Sequence, residues 1–219
     1  MTDCTYLMQP KIFEGIAYRF FVPEGYNPAQ KYPLVLFLHG MGECGSDNRL
    51  HTSKNSVMQT LLEPENLAAY PCVVLAPQCP QDSLWPAHLS ELMGLLERTK
   101  SLYSIDSARI YITGLSMGGF GTWAMLTEYP DYFAAAAPVC GGGDEDDAAV
   151  FRHVPLWVFH GAKDSTVHPD ASREMVKALQ NAGAAHVKYT EYPDAMHDSW
   201  ELAYRESELF PWMFGQRKS

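Results

Sequence analysis

The sequence predicts a layered α/β domain with a mostly parallel sheet of about seven or eight strands and helices on both faces. Three observations carry this prediction. Apolar runs of strand length alternate with helical patterns along the whole chain. Several runs (LVLFL, VVLA, LWVF) are apolar on both faces, as strands covered from two sides must be. A serine framed by glycines lies between one such run and a helix-forming stretch. No repeat, low-complexity tract or Gly/Ser linker divides the 219 residues, so one domain over 1–219 is expected.

Taken in order, strands are predicted at 16–22, 34–38, 73–76, 109–113, 134–139, 156–160 and 187–192. Leu89, Leu92, Met93, Leu96 and Tyr103 recur at spacings of three and four, which predicts a helix over 88–103 with one buried stripe. A second helix is predicted over 117–128. A third, over 172–182, carries Met175, Val176 and Leu179 inward and has Gly183 as its stop signal. Further helices are predicted near 55–69 and 200–207. The acidic run 144–147 reads as a solvated loop or a helix start.

Composition narrows the function classes. Sixteen basic against 26 acidic residues give a formal charge of −10, which argues against nucleic acid and anionic membrane surfaces as partners. No apolar run approaches the roughly 18 residues that span a bilayer. The first fifteen residues lack a basic region followed by an apolar one, so no signal peptide is read there. A trimmed secreted chain would look the same, and a cytoplasmic location is the provisional expectation. The five cysteines (4, 44, 72, 79 and 140) show no CxxC spacing, which points to reduced thiols rather than a disulfide framework or zinc site. Composition leaves the oligomeric state open.

The sharpest motif is Gly114-Leu115-Ser116-Met117-Gly118, a G-x-S-x-G between the strand RIYIT and a helix. A serine on so tight a strand-to-helix turn adopts strained dihedrals, and glycine two residues away on each side lets the backbone cross closely. The turn lifts the hydroxyl off the sheet edge, and the helix N-terminus behind it favours a developing oxyanion.

A serine hydroxyl needs a base, and the base needs an orienting carboxylate. On this kind of turn the partners follow in the order Ser, acid, His. Asp164 stands just past the strand LWVFHG, and His197 just past the last strand; both are assigned accordingly. Asp170 and Asp194 are rivals for the acid, and Asp198 could instead fix the His loop. His39 and His160 each precede a glycine at a strand end and read as structural imidazoles. For the oxyanion, the backbone N–H of Met117 follows the nucleophile. A second amide comes from the loop His39-Gly40-Met41-Gly42-Glu43, with Met41 preferred and Gly40 and Gly42 as fallbacks. Glu43 and Asp47 brace that loop, and Cys44 is a structural thiol.

These residues resemble the small bacterial serine carboxylesterases of the α/β-hydrolase superfamily, in the phospholipase/carboxylesterase group. They are similar also to feruloyl esterase and polyhydroxybutyrate-depolymerase-type domains. The resemblance runs from about residue 16 to 210 in six ordered blocks: LVLFLHGMGECGSDN, VVLAPQCP with Trp85 after it, RIYITGLSMGGFGTW, YPDYFAAAAPVCGGGD, LWVFHGAKDSTV and MHDSW. It implies an α/β-hydrolase fold with Ser116 as nucleophile, His197 as base, Asp164 as orienting acid, and Met41 and Met117 around the oxyanion. Where larger lipases and peptidases carry a lid or cap, this chain has only a short segment between 139 and 156, so no large cap domain is expected.

The expected reaction is hydrolysis of a small carboxylic ester through an acyl-serine intermediate, with short acyl groups or acetyl or feruloyl esters of carbohydrates as substrates. No metal or other cofactor is implied, and the partner is a small-molecule ester. A serine peptidase of the prolyl-oligopeptidase type and a non-catalytic binding module on the same scaffold are the alternatives. The cleft is expected to be shallow, with Trp85 and Trp200 as aromatic walls and Trp123 in the core.

Overall fold

The computed structural model describes residues 4–53 and 56–218. Among them are eight strands: β1 (Gln9–Phe13), β2 (Ile16–Phe21), β3 (Tyr32–Leu38), β4 (Val73–Pro77), β5 (Ile105–Leu115), β6 (Ala135–Val139), β7 (Leu156–Gly161) and β8 (Val187–Tyr192). They form one sheet in the order β1-β2-β4-β3-β5-β6-β7-β8. The first two strands pair antiparallel, and β2 runs antiparallel to β4; every pair from β4 to β8 is parallel. Seven of the strands match predicted runs. The added strand, β1, is an edge strand of polar and exposed residues without an apolar run to reveal it.

The helices are α1 (Leu50–Ser53), α2 (Ser56–Leu61), α3 (Pro64–Ala69), α4 (Leu89–Leu102), α5 (Met117–Glu128), α6 (Asp170–Asn181), α7 (Trp200–Ala203) and α8 (Leu209–Gly215). The side-chain period of β3 shows how they cover the sheet. Leu34, Leu36 and Leu38 point into one cluster with Leu92, Leu96, Trp123, Leu126 and Leu179 of α4, α5 and α6. Val35 and Phe37 point into the other with Val57, Leu61, Leu209 and Phe210 of α2 and α8. Each leucine of β3 is fully buried, a stabilisation of about 1.5–3 kcal/mol apiece.

Two predicted helices differ. The stretch near 55–69 breaks at Glu63, which is extended (φ −61°, ψ 141°) because Pro64 follows it and opens α3. Residue 55, the predicted start, lies outside the described residues, as does the Cys4 side chain. The helix near 200–207 ends at Ala203, and α8 follows. That helix is apolar nearly all round (LFPWMFG), so it shows no 3.6 period, and its proline sits in the first turn where no N–H is needed. No described helix is long and apolar enough to cross a membrane.

Candidate active site

The C-terminal ends of β3, β5, β6, β7 and β8 face the same side of the sheet and deliver His39, Ser116, Cys140, Asp164 and His197 to one place. Ser116 stands between β5 and α5 with φ 54° and ψ −118°, a left-handed conformation that costs a non-glycine residue energy. Two backbone bonds over-determine it: its N–H donates to the Val139 carbonyl (3.0 Å), and its carbonyl accepts from Phe120 (3.1 Å). Gly118 is obligatory here, since a Cβ would lie 1.9 Å from the Leu38 carbonyl oxygen. The Ser116 turn is therefore wedged against the end of β3 by backbone alone.

The Ser116 Oγ lies 2.9 Å from His197 Nε2, and His197 Nδ1 lies 2.7 Å from Asp164 Oδ2. The second oxygen of Asp164 accepts the amides of Thr166 and Val167, each at 2.9 Å. Burial pushes this carboxyl up, but the His197 ring N–H and the amides of Val167 and Thr166 outweigh it and hold the group below its ordinary value. The acid and base loops are tied together by backbone, with Lys163 N–H donating to Ala195 and Ala162 N–H to Tyr192. That crossing needs Gly161, where a Cβ would meet the Met196 carbonyl at 2.2 Å. The rival carboxylates face elsewhere: Asp194 pairs with Lys163 and Asp170 with Arg173, both at the surface.

Met117 opens α5 and Met41 opens a 3₁₀ turn over Met41–Glu43, so each amide sits where a helix start leaves an N–H without an intrahelical acceptor. The Gly40 N–H is already given to Glu43 Oε2 (3.0 Å), which takes that fallback out of play. The loop is fixed from behind by His39. Its Nε2 accepts the Cys79 N–H (2.9 Å), so its proton sits on Nδ1, 2.6 Å from the Gly40 carbonyl. Burial pulls this imidazole down to about 4, against the lift from Gly40. Gln78, which sequence reasoning passed over, clasps the rest of the loop through the Glu43 carbonyl, Asp47 and the Asn48 amide. Cys44 is packed beside the core, and burial raises its thiol, in keeping with a structural role.

A cavity of about 770 Å³ opens over Ser116. Its volume lies within the range of small-ligand sites. Met41, Leu84, Pro86, Phe120, Val167 and Trp200 form most of its apolar wall, and Glu43 is its only carboxylate. Trp200 is where the sequence put it, its ring 5.3 Å from that of His197 and perpendicular to it. Trp85 is not. It is fully buried, its Nε1 donates to the His39 carbonyl (3.0 Å), and its ring packs on α5 beside Gly121. The indole is turned inward to satisfy that carbonyl, and its neighbours Leu84 and Pro86 face the cavity instead. Phe120 was also missed, although it lies four residues after Ser116 and so shares its helix face. Trp123 is in the core as expected.

Among the described residues, Cys140, Asp164 and His197 offer three ligand atoms within 4.8 Å of one another. They do not fit a metal: Asp164 and His197 are already bonded together, and burial pushes the Cys140 thiol up to about 12, far from the thiolate that metals bind.

The model of the Esterase family matches residues 12–198. A thermostable esterase of known crystal structure superposes with a TM-score of 0.90 at 39% identity, over 97% of this chain and 64% of that one. The bifunctional acetylxylan esterase/xylanase of Neocallimastix patriciarum is 28% identical over 153 residues, 65% of this chain and 21% of that protein. Probable feruloyl esterase C of Aspergillus terreus is 27% identical over 196 residues, 80% of this chain and 67% of that protein. The chain thus spans less than two thirds of the first two. The eight-stranded sheet is that of the α/β-hydrolase fold shared with these structural neighbours.

Proposed function

The chain belongs to the Esterase family, and on that premise we propose that it hydrolyses small carboxylic esters by acyl transfer to Ser116. The observation that carries this reading is the unbroken hydrogen-bond chain from Ser116 Oγ through His197 to Asp164. His197 Nε2 takes the hydroxyl proton as Oγ attacks the ester carbonyl, and Asp164 holds the ring and stabilises its cation. The Met41 and Met117 amides receive the oxyanion. His197 then protonates the departing alcohol and, in the second half, takes a proton from the water that releases the acid. These steps use no cofactor.

The apolar walls of the cavity suit a short alkyl or an aromatic acyl group, such as the acetyl and feruloyl groups that the relatives' names carry, on a carbohydrate alcohol. A fluorophosphonate should label Ser116 alone, and Ser116→Ala should remove turnover by about four or more orders of magnitude with the fold intact. Acetyl, butyryl, long-chain and feruloyl esters, tried beside a peptide amide, sort the readings. Preference for the amide would favour a peptidase, and binding without turnover a non-catalytic module.

A further inference from the structure

His160, the single histidine of β7, is fully buried four residues before Asp164, and its ring lies among acceptors. Its Nε2 is 2.9 Å from the Val167 carbonyl and 3.3 Å from Asp164 Oδ2. Neither oxygen carries a proton, so a bare lone pair on Nε2 would face two acceptors without water to relieve it. Nε2 must therefore hold a hydrogen. Burial, foremost, keeps the ring below its ordinary value and so neutral, against the lift from Val167 and Asp164. One proton on Nε2 leaves Nδ1 as an acceptor, and the Ser172 hydroxyl stands 2.7 Å away to serve it. The Gly141 carbonyl, at the start of the loop after β6, also lies 2.8 Å from Ser172 Oγ, so the single hydroxyl proton is shared between it and Nδ1.

We propose that His160 is a positioning residue for the acid–base pair, its Nε2 proton shared between the Val167 carbonyl and Asp164 so that the carboxylate is held toward His197. Asp164 then accepts four donors: two amides on Oδ1, and two imidazoles, His197 and His160, on Oδ2. The Val167 amide that donates to Asp164 is itself steadied through its carbonyl. The fourth donor also moderates the carboxylate's charge. Less of that charge is left to stabilise a His197 cation than an unshared aspartate would offer.

The other ionisable groups around this assembly are Cys140 at the end of β6, Glu191 on β8 and Asp198 beside His197. Cys140 is kept as a thiol by burial, and Glu191 is taken up by Arg173 and Tyr189. Asp198 follows His197 in the chain and is unchanged in both variants below.

The inference rests on the acyl-transfer reading, and its test separates the two. Fluorophosphonate labelling of Ser116 in the wild-type enzyme tests that reading alone. Given labelling, His160→Leu removes the donor, while His160→Gln keeps an N–H near the Nε2 position. His160→Leu should lower kcat by about 10- to 100-fold with KM nearly unchanged, by analogy with the loss of outer partners that orient metal-binding groups. It should also move the acid limb of the kcat/KM profile about half a pH unit toward alkaline pH. His160→Gln should return that limb to the wild-type position. An unmoved limb in His160→Leu, or the same shift in both variants, overturns the proposal, because a purely structural role would lower the rate and leave the limb in place. Should His160→Leu fail to fold, nitrogen-15 NMR of histidine-labelled wild type decides: a proton on Nε2 of His160 is expected, and the Nδ1–H tautomer rejects the idea.

Discussion

Around Ser116 the chain is fixed chiefly by shape and backbone hydrogen bonds, the carboxylates of Glu43 and Asp47 bracing only the loop after β3. The Gly118 backbone presses on the end of β3, Ser116 is strained into place, and His39 is kept neutral to hold the oxyanion loop. Around His197 and Asp164 the fixing agent is charge. A buried carboxylate collects donors from two loops and two imidazoles, on the outer strands β7 and β8, the latter only half-buried. The difference teaches where each half is fragile. The first tolerates no added atom, whereas the second tolerates no change of charge or tautomer.

The largest effect should come from a substitution that keeps shape and alters charge. Asp164→Asn should cost about 10⁴-fold in kcat, since the amide favours the wrong His197 tautomer and cannot stabilise its cation. Steady-state kinetics on protein with an unchanged circular-dichroism spectrum checks this, and a loss below tenfold would remove charge as the organising agent. Next comes the converse, an added atom without charge. Gly118→Ala puts a methyl group 1.9 Å from the Leu38 oxygen and 2.5 Å from its carbon, both backbone, so no side chain can swing aside. A loss of about 4 kcal/mol or more is expected, read from the urea midpoint. A midpoint near wild type would break the steric half of the comparison.

Acid should separate the halves in a less obvious way. Burial, foremost, holds His39 at about 4 and His51 at about 3, below the unfolded value of 6.5. Between pH 6.5 and about 4 the unfolded rings take protons that the folded ones refuse, so stability falls as pH drops through that window. For His39 alone the loss is on the order of 3 kcal/mol. Asp164 behaves differently. Its carboxyl is held below the ordinary value of 3.8, so its contribution is present above that pH and is lost only as pH falls through the lower folded value. Denaturation curves between pH 7 and 4.5 should thus lose stability through the buried imidazoles, His39, His51 and His160, before Asp164 takes a proton; a flat profile would contradict it. The smallest effect is expected at the edge of the cavity. Trp200→Ala should raise KM about tenfold while kcat changes less than threefold, because the ring contacts ground and transition states alike. An unchanged KM would leave Trp200 as packing for His197 alone.

Much of the site was legible in the chain because its parts are local or ordered. The strained turn is written in five consecutive residues, and Asp164 and His197 follow at the ends of later strands, which short apolar runs bounded by turn residues mark. Leu84, Pro86 and Phe120 were not read as cavity walls, although Phe120 could have been found from its helical spacing to Ser116. The direction of Trp85 was beyond reach, since an indole at a strand end can face the cleft or the core, and a carbonyl 46 residues away decided it.

Sequence alone determined the class of sheet, the nucleophile turn and the order of the residues that meet there, because backbone strain and hydrophobic period are properties of neighbours in the chain. Only the tertiary structure decided which carboxylate faces His197, which amides of the oxyanion loop remain open, and that His160 lies against Asp164. Those outcomes depend on the competition for donors and acceptors among groups brought together from distant segments. A buried polar proton is costly to leave without an acceptor, and the folded arrangement alone settles which acceptor it finds.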